Sequence, residues 1–353
     1  MGICCDRSLA RTLFGVALIV ILLVCAGMPV AAQKSKQKAA YKKIIGPNAC
    51  AECHKQETEI WKKTHHFNTF KNMPRSKEAR AIADKMKIKR IKSKTLCLNC
   101  HFTTQAKGKK KKPIAGISCE SCHSPGKDWQ KVHSEFSGKT EKTETKSEEA
   151  ARWKKADKLG MIRPSSIYKL AKNCYGCHVV PQEDLVNVGG HPAGSPFELV
   201  SWSQGEIRHN TWYSKGKKNA KPSPGRRRIL YIVGLAVELE TALRAVGSAT
   251  ANKEYAFIMA RRANAARKKL TAVAKAVPDS PELKRLSEFG YTAGLKLKNK
   301  PALTEAASRI SVEVLALTSK YDGSTFNAID SLIPSPDKYK GKEYKSKQAN
   351  LPG

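Results

Sequence analysis

Apolar residues are patterned differently in the two halves of the chain. From Arg227 onward they recur with a helical period. Arg227 to Val246 carries Leu230, Val233, Val237, Leu239 and Leu243, and Asn252 to Val277 is a run rich in Ala, Lys and Arg. Ser280-Pro281 offers a capping hydroxyl and a first-turn proline, predicting a third helix to about Lys298. Pro301 opens a fourth, in which Leu303, Ile310, Val314 and Leu317 share a face, Leu315 widens that stripe and Val312 falls off it. Helices joined by short proline-punctuated loops predict an antiparallel four-helix bundle over residues 227–320. A basic Pro/Gly linker, 213–226, precedes it and a loose tail, 321–353, follows. Before the linker the periodic segments are short. Glu52 to Phe67, with Ile60 and Trp61 in a Lys/Glu-rich run, reads as a helix, and few strands are expected.

The chain starts with an export pattern: Arg7 and Arg11, an apolar run from Leu13 to Val24, and Val30-Ala31-Ala32 ahead of Gln33. Residues 1–32 are therefore expected to be a cleaved signal peptide, followed by a basic linker, 33–44. The rival is an uncleaved anchor, since Leu13 to Ala32 is just long enough to span a bilayer. Val24 before Cys25 is a poor match to a lipidation site. No later stretch is apolar enough to cross a membrane, so the exported chain should be periplasmic or otherwise outside the cytoplasm.

Composition narrows the class. With 353 residues, 41% hydrophobic and 27% charged, the chain can bury a core, and its eleven cysteines are too sparse for a disulfide mini-scaffold. Three of them, Cys4, Cys5 and Cys25, lie in the leader. The other eight form one motif four times: Cys50-Ala-Glu-Cys53-His54, Cys97-Leu-Asn-Cys100-His101, Cys119-Glu-Ser-Cys122-His123 and Cys174-Tyr-Gly-Cys177-His178. This is the attachment signature of c-type haem. Two thiols reach the two vinyl groups of one porphyrin, and the adjacent imidazole ligates the iron. Structural zinc or disulfides would use the same residue types, but neither explains a histidine directly after every pair. The motifs predict four covalently bound haem c groups, with His54, His101, His123 and His178 as proximal iron ligands.

Nine histidines occur in all, none within the last 144 residues. The five outside the motifs are His65, His66, His133, His191 and His209, and they are the candidates for distal ligation. His66, His133 and His209 come first, with His65 and His191 behind them. In a continuous helix His54 and His66 would be about 18 Å apart, so they cannot grip one iron from opposite faces. His133 likewise follows His123 too closely, so both must serve other haems.

The segments CAECHKQETEIWKKTHHF, from Cys50, and GISCESCHSPG, from Gly116, resemble the tetrahaem cytochrome c-554 family of ammonia-oxidising bacteria. The order of the motifs, with the second and third close together, is similar, and the resemblance covers about residues 45–210. It implies a mainly α multihaem-cytochrome domain over 45–212. It further implies His133 as distal ligand of the first haem, His66 of the third and His209 of the fourth. The haem of His101 would be five-coordinate, an open iron able to bind nitric oxide. The turn Val188-Gly189-Gly190-His191-Pro192 departs from the family pattern.

The resemblance implies an electron carrier linked to oxidation of nitrogen compounds. Two other functions stay open: a redox enzyme acting on nitric oxide, hydroxylamine or nitrite at the open iron, and a haem-bearing, non-catalytic subunit of a larger complex. The formal charge of +35 arises from 65 basic against 30 acidic residues, and clusters at Lys85 to Lys94 and Lys107 to Lys112 would steer acidic redox partners. Nucleic acid is not expected as a partner of an exported protein. Residues 227–320, free of His and Cys, could instead mediate an oligomer or a complex.

Overall fold

The computed structural model describes residues 40–93, 95–108 and 110–344. The expected signal peptide and the first part of the basic linker lie outside the described residues, as does the end of the tail. The chain is mainly helical, and its motif-bearing half is built from short pieces. These are α1 (Pro47–Ala51), α2 (Lys55–Trp61), α3 (His65–Asn72), α4 (Lys77–Lys85) and α5 (Thr95–His101). The hairpin of β1 (Thr103–Lys107) and β2 (Lys110–Ala115) follows. Then come α6 (Cys119–His123), α7 (Gln130–Ser134), α8 (Lys146–Lys158), α9 (Ile167–His178), α10 (Glu183–Asn187) and α11 (Leu199–Ser203).

Polar caps explain why these helices stop and restart. The Thr64 side chain accepts a hydrogen bond from the Phe67 amide and opens α3. The stretch 52–67, expected as one helix, is therefore two, with a break at 62–64. Thr145 and Glu148 form a reciprocal capping box at the start of α8. The lysine-rich stretch between the second and third motifs pairs as an antiparallel hairpin with Thr103 opposite Ala115 and Lys107 opposite Lys110. Thr103 and Thr104 are buried at its base while Lys110 to Lys112 stay exposed, so the charge remains in water.

Four further helices complete the described chain: α12 (Pro224–Ser248), α13 (Glu254–Ala276), α14 (Pro281–Phe289) and α15 (Lys300–Lys320). Helix α12 packs against α13 and α15, and α14 touches both of those. Ser223 accepts from the Arg226 amide, so α12 begins inside the stretch read as linker. Ser280 caps α14 as its sequence suggests, but that helix ends at Phe289, short of Lys298. On α15 Val312 is exposed as expected. Leu315, expected in the buried stripe, is 48% exposed, because it lies one residue past fully buried Val314 and turns clear of the stripe.

Helix α12 is enclosed over most of its surface: Ile232, Val233, Ala236, Val237, Leu239, Ala242 and Leu243 have no exposed surface, and a stripe through Leu230, Thr241 and Arg244 is half-buried. One apolar core runs from Ile167 on α9 to Ile333, joining the fourth motif's helix to the C-terminal helices. Residues 321–344 are not the loose tail expected, since Phe326, Ile329 and Ile333 are buried in that core. Arg228 donates to both carboxylate oxygens of Asp330 at 2.8 and 2.6 Å. Farther on, Lys340 donates to the Ser201 carbonyl at 3.0 Å and accepts from the Glu206 amide at 2.9 Å, strapping the tail across the motif-bearing half. Among the described residues no helix is long and apolar enough to cross a membrane. A Leu243→Ala variant is expected to lose about 2–5 kcal/mol, because Leu243 has no exposed surface and its removal leaves a cavity in the core. A lowered denaturant midpoint at unchanged slope would show it.

Candidate functional site

In a helix, residues i, i+3 and i+4 share a face, so a helical Cys-x-x-Cys-His turn presents both thiols and the imidazole to one side. The second, third and fourth motifs adopt this geometry, each histidine being the last residue of α5, α6 or α9. Helix α1 ends within the first motif, yet the His54 amide still bonds to the Cys50 carbonyl at 2.9 Å, continuing the turn. None of the eight motif cysteines is paired in a disulfide. Among the described residues no three His, Cys, Asp or Glu side chains converge to hold a bare ion, as structural zinc would require.

Each motif histidine faces one histidine from elsewhere in the chain. His54 faces His133 with ring centroids 6.2 Å apart, His101 faces His191 at 6.1 Å, His123 faces His209 at 6.2 Å and His178 faces His66 at 6.4 Å. An imidazole nitrogen bonds a metal at about 2 Å, and the ring centroid lies roughly 1 Å behind it. Two imidazoles on opposite sides of one iron thus have centroids roughly 6 Å apart, the spacing found four times here. The Nδ1 atoms of His123, His191 and His209 meet the carbonyls of Ile162 at 2.8 Å, Pro192 at 2.9 Å and Ile207 at 2.6 Å. His133 Nδ1 meets the Gln130 carbonyl at 2.5 Å. Carbonyl partners select the tautomer that leaves Nε2 free as a ligand. Burial pushes His101, His123 and His178 down to about 4, so these imidazoles are neutral at neutral pH, as ligation requires. The residues present fit haem iron.

The pairing differs in part from what the resemblance implied. His133 meets His54, the first motif, as implied. His66 meets the fourth motif and His209 the third, the reverse of the implied assignment. His191 sits opposite His101, on the side that the resemblance left open. His65 joins no pair: it is exposed, and its Nδ1 meets Glu206 Oε2 at 2.8 Å. Thr64, as cap of α3, turns the first helical residue outward and the second inward, which decides between the two adjacent histidines.

Direct contacts draw the four motifs together. The Cys50 side chain lies within electrostatic reach of Cys119, and Cys100 within that of Cys177. Asn173, just before Cys174, donates to the Cys122 carbonyl at 2.7 Å. Glu120, one of the variable positions of the third motif, is 3% exposed. It accepts from the Ile45 amide at 2.9 Å and from those of Gly46 and Gly126 at 2.7 Å each, fixing the approach to the first motif. The Trp61 indole donates to the Ile117 carbonyl at 2.7 Å and the Ile117 amide to the His66 carbonyl at 3.0 Å. Aromatic rings flank the pairs: Phe197 lies 4.2 Å from His178, and half-exposed Trp212 lies 4.7 Å from His54. Sequence reasoning passed over Glu120, Phe197 and Trp212, which carry no local signal of their roles.

The family model described as "Cytochrome c554 and c-prime" matches residues 49–124, which hold the first three motifs. Cytochrome c-554 of Nitrosomonas europaea is 24% identical over 145 residues, which is 38% of this chain and 57% of the relative. The matched part thus spans little more than half the length of that curated relative. No solved structure matches. Residues 49–124 of this chain are therefore similar to the cytochrome c-554 family, c-type cytochromes in which haem is bound covalently.

Proposed function

We propose that this protein is an exported tetrahaem cytochrome that passes electrons between redox partners, its haem domain followed by a four-helix bundle. One haem c attaches at each motif, through Cys50 and Cys53, Cys97 and Cys100, Cys119 and Cys122, and Cys174 and Cys177. The iron ligands are His54 with His133, His101 with His191, His123 with His209, and His178 with His66. When bound, haem supplies one-electron exchange at its iron. The chain's own residues do the rest. Cysteines fix each porphyrin, carbonyls hold His123, His133, His191 and His209 with Nε2 forward, and burial keeps His101, His123 and His178 neutral.

The observation that carries this reading is the set of four imidazole pairs with ring centroids 6.1 to 6.4 Å apart, which together use eight of nine histidines. Two strong ligands on every iron leave no position for substrate, so a carrier is favoured over an enzyme working at the second haem. Contacts between the first and third, third and fourth, and fourth and second motifs make neighbours of successive haems and supply a relay. At its first-motif end Tyr213 is 89% exposed beside Trp212, with Lys215, Lys217 and Lys218 close by in sequence. Aromatic contact area ringed by cations suits an acidic redox protein, and eight propionates offset only part of the +35 charge.

Mass measurement of the mature protein, made in a host that attaches haem c, is expected to give the chain from Gln33 plus four haems. Its ferric electron paramagnetic resonance (EPR) spectrum should be wholly low-spin. Fewer haems, or a high-spin signal from the unmodified chain, would overturn the reading.

A further inference from the structure

The C-terminal helices carry no haem motif, yet they hold both flanks of the segment bearing His191. Upstream, Glu183 on α10 accepts from the Thr250 amide at 2.8 Å, the Thr250 hydroxyl at 3.0 Å and the Ala251 amide at 3.0 Å. One turn later Asn187 Oδ1 accepts from the Tyr255 amide at 2.9 Å. Downstream, Arg262 on α13, itself 8% exposed, donates from Nη1 to the carbonyls of Ala193 at 3.2 Å and Ser195 at 2.9 Å. Arg262 Nη2 also lies 3.1 Å from Glu238 Oε1 on α12, which holds the guanidinium between helices. Between these two anchors the chain turns through Gly190, with φ +70°, to His191, whose amide bonds back to the Leu185 carbonyl at 3.0 Å.

We infer that α13 and the loop before it are a clamp that keeps His191 on the second iron, with Arg262 and Glu183 as its positioning residues. The inference rests on the proposed pairing of His191 with His101. His191 lies on a glycine-rich turn, whereas His66 and His133 are held within α3 and α7. A turn does not fix a ring position by itself, and local segments with few buried contacts open readily. Six backbone and side-chain bonds from residues 250–262 oppose that opening. The C-terminal helices thereby decide whether the second haem is closed or accessible to a small ligand.

The test uses the full-length protein with its haem complement verified by mass, and reads ferric EPR together with carbon monoxide binding to the reduced form. Arg262→Met and Glu183→Ala lie on opposite flanks, so a fault in the Glu238 pair cannot explain both. Each is expected to show a new high-spin component of at most one haem and to bind up to one carbon monoxide, where the unmodified chain binds none. Arg262→Lys, which can still donate to one carbonyl, should restore most of the low-spin signal. His191→Ala calibrates the fully open state. If His191→Ala opens one haem while the combined Glu183→Ala/Arg262→Met variant stays low-spin and silent to carbon monoxide, the clamp is overturned and the pairing stands. If His191→Ala opens none, the pairing falls, and the clamp with it.

Discussion

A Glu120→Gln variant is expected to lose about 2–4 kcal/mol of stability, because it breaks a buried carboxylate that serves three backbone amides. Oε1 accepts from Ile45 and Gly126, and Oε2 from Gly46. Glutamine can keep an oxygen on only one of those sides. If its oxygen serves Ile45 and Gly126, its amide nitrogen confronts the Gly46 N–H, donor against donor, in a site 3% exposed. The two remaining bonds also lose the assistance of the negative charge. The damage should reach the first motif, because Gly46 directly precedes α1, which carries Cys50. Thermal unfolding of the holoprotein measures the loss. Glu59→Gln is the control: its side chain is 56% exposed, and it pairs only with Lys62 at 2.7 Å. That change should stay within about 0.5 kcal/mol. Equal effects at the two positions would show that the buried carboxylate contributes nothing special.

Glu120 also marks the boundary of what sequence can reveal. The attachment positions were legible because covalent chemistry imposes a fixed spacing on Cys, Cys and His, whatever the surrounding fold. The facing histidines have no such local grammar, since their partners are set by tertiary packing. Hence His191, on a turn of glycine and proline, ranked behind His209, and the implied targets of His66 and His209 were exchanged. Reach alone implied that His54 and His66 would not face each other, and in the structure they face His133 and His178 instead, although the helix assumed between them is broken by the Thr64 cap.

Element legibility follows the same rule. Long apolar stripes such as Ile310, Val314 and Leu317 announce α15, whereas Phe326, Ile329 and Ile333 are too few to show a period, yet all three are buried. A lysine-rich hairpin hides its pairing because the buried contacts belong to Thr103 and Thr104 at its base. The start of α12 was masked by Pro224, which suits a first turn as well as a linker.

Gly116→Ala is the other change with a large expected effect, through steric exclusion. A Cβ at this position would overlap the His66 carbonyl oxygen, far inside van der Waals contact distance, and it would stand 2.8 Å from the Phe67 carbonyl oxygen and 2.6 Å from Thr69 Oγ1. Two of the three obstacles are backbone atoms of α3, so no rotamer change relieves them. Either α3 or the end of β2 must shift, at about 3 kcal/mol or more. A shift of α3 moves His66 away from His178 and strains the Ile117 amide bond to the His66 carbonyl, now 3.0 Å. The variant should therefore melt several degrees lower and, with four haems attached, show high-spin character at one of them. His65→Ala, on the outward side of the same helix, should leave the spectrum unchanged. A Gly116→Ala protein that keeps both its melting temperature and a wholly low-spin spectrum would mean that the contact between α3 and the third motif does not hold His66 in place.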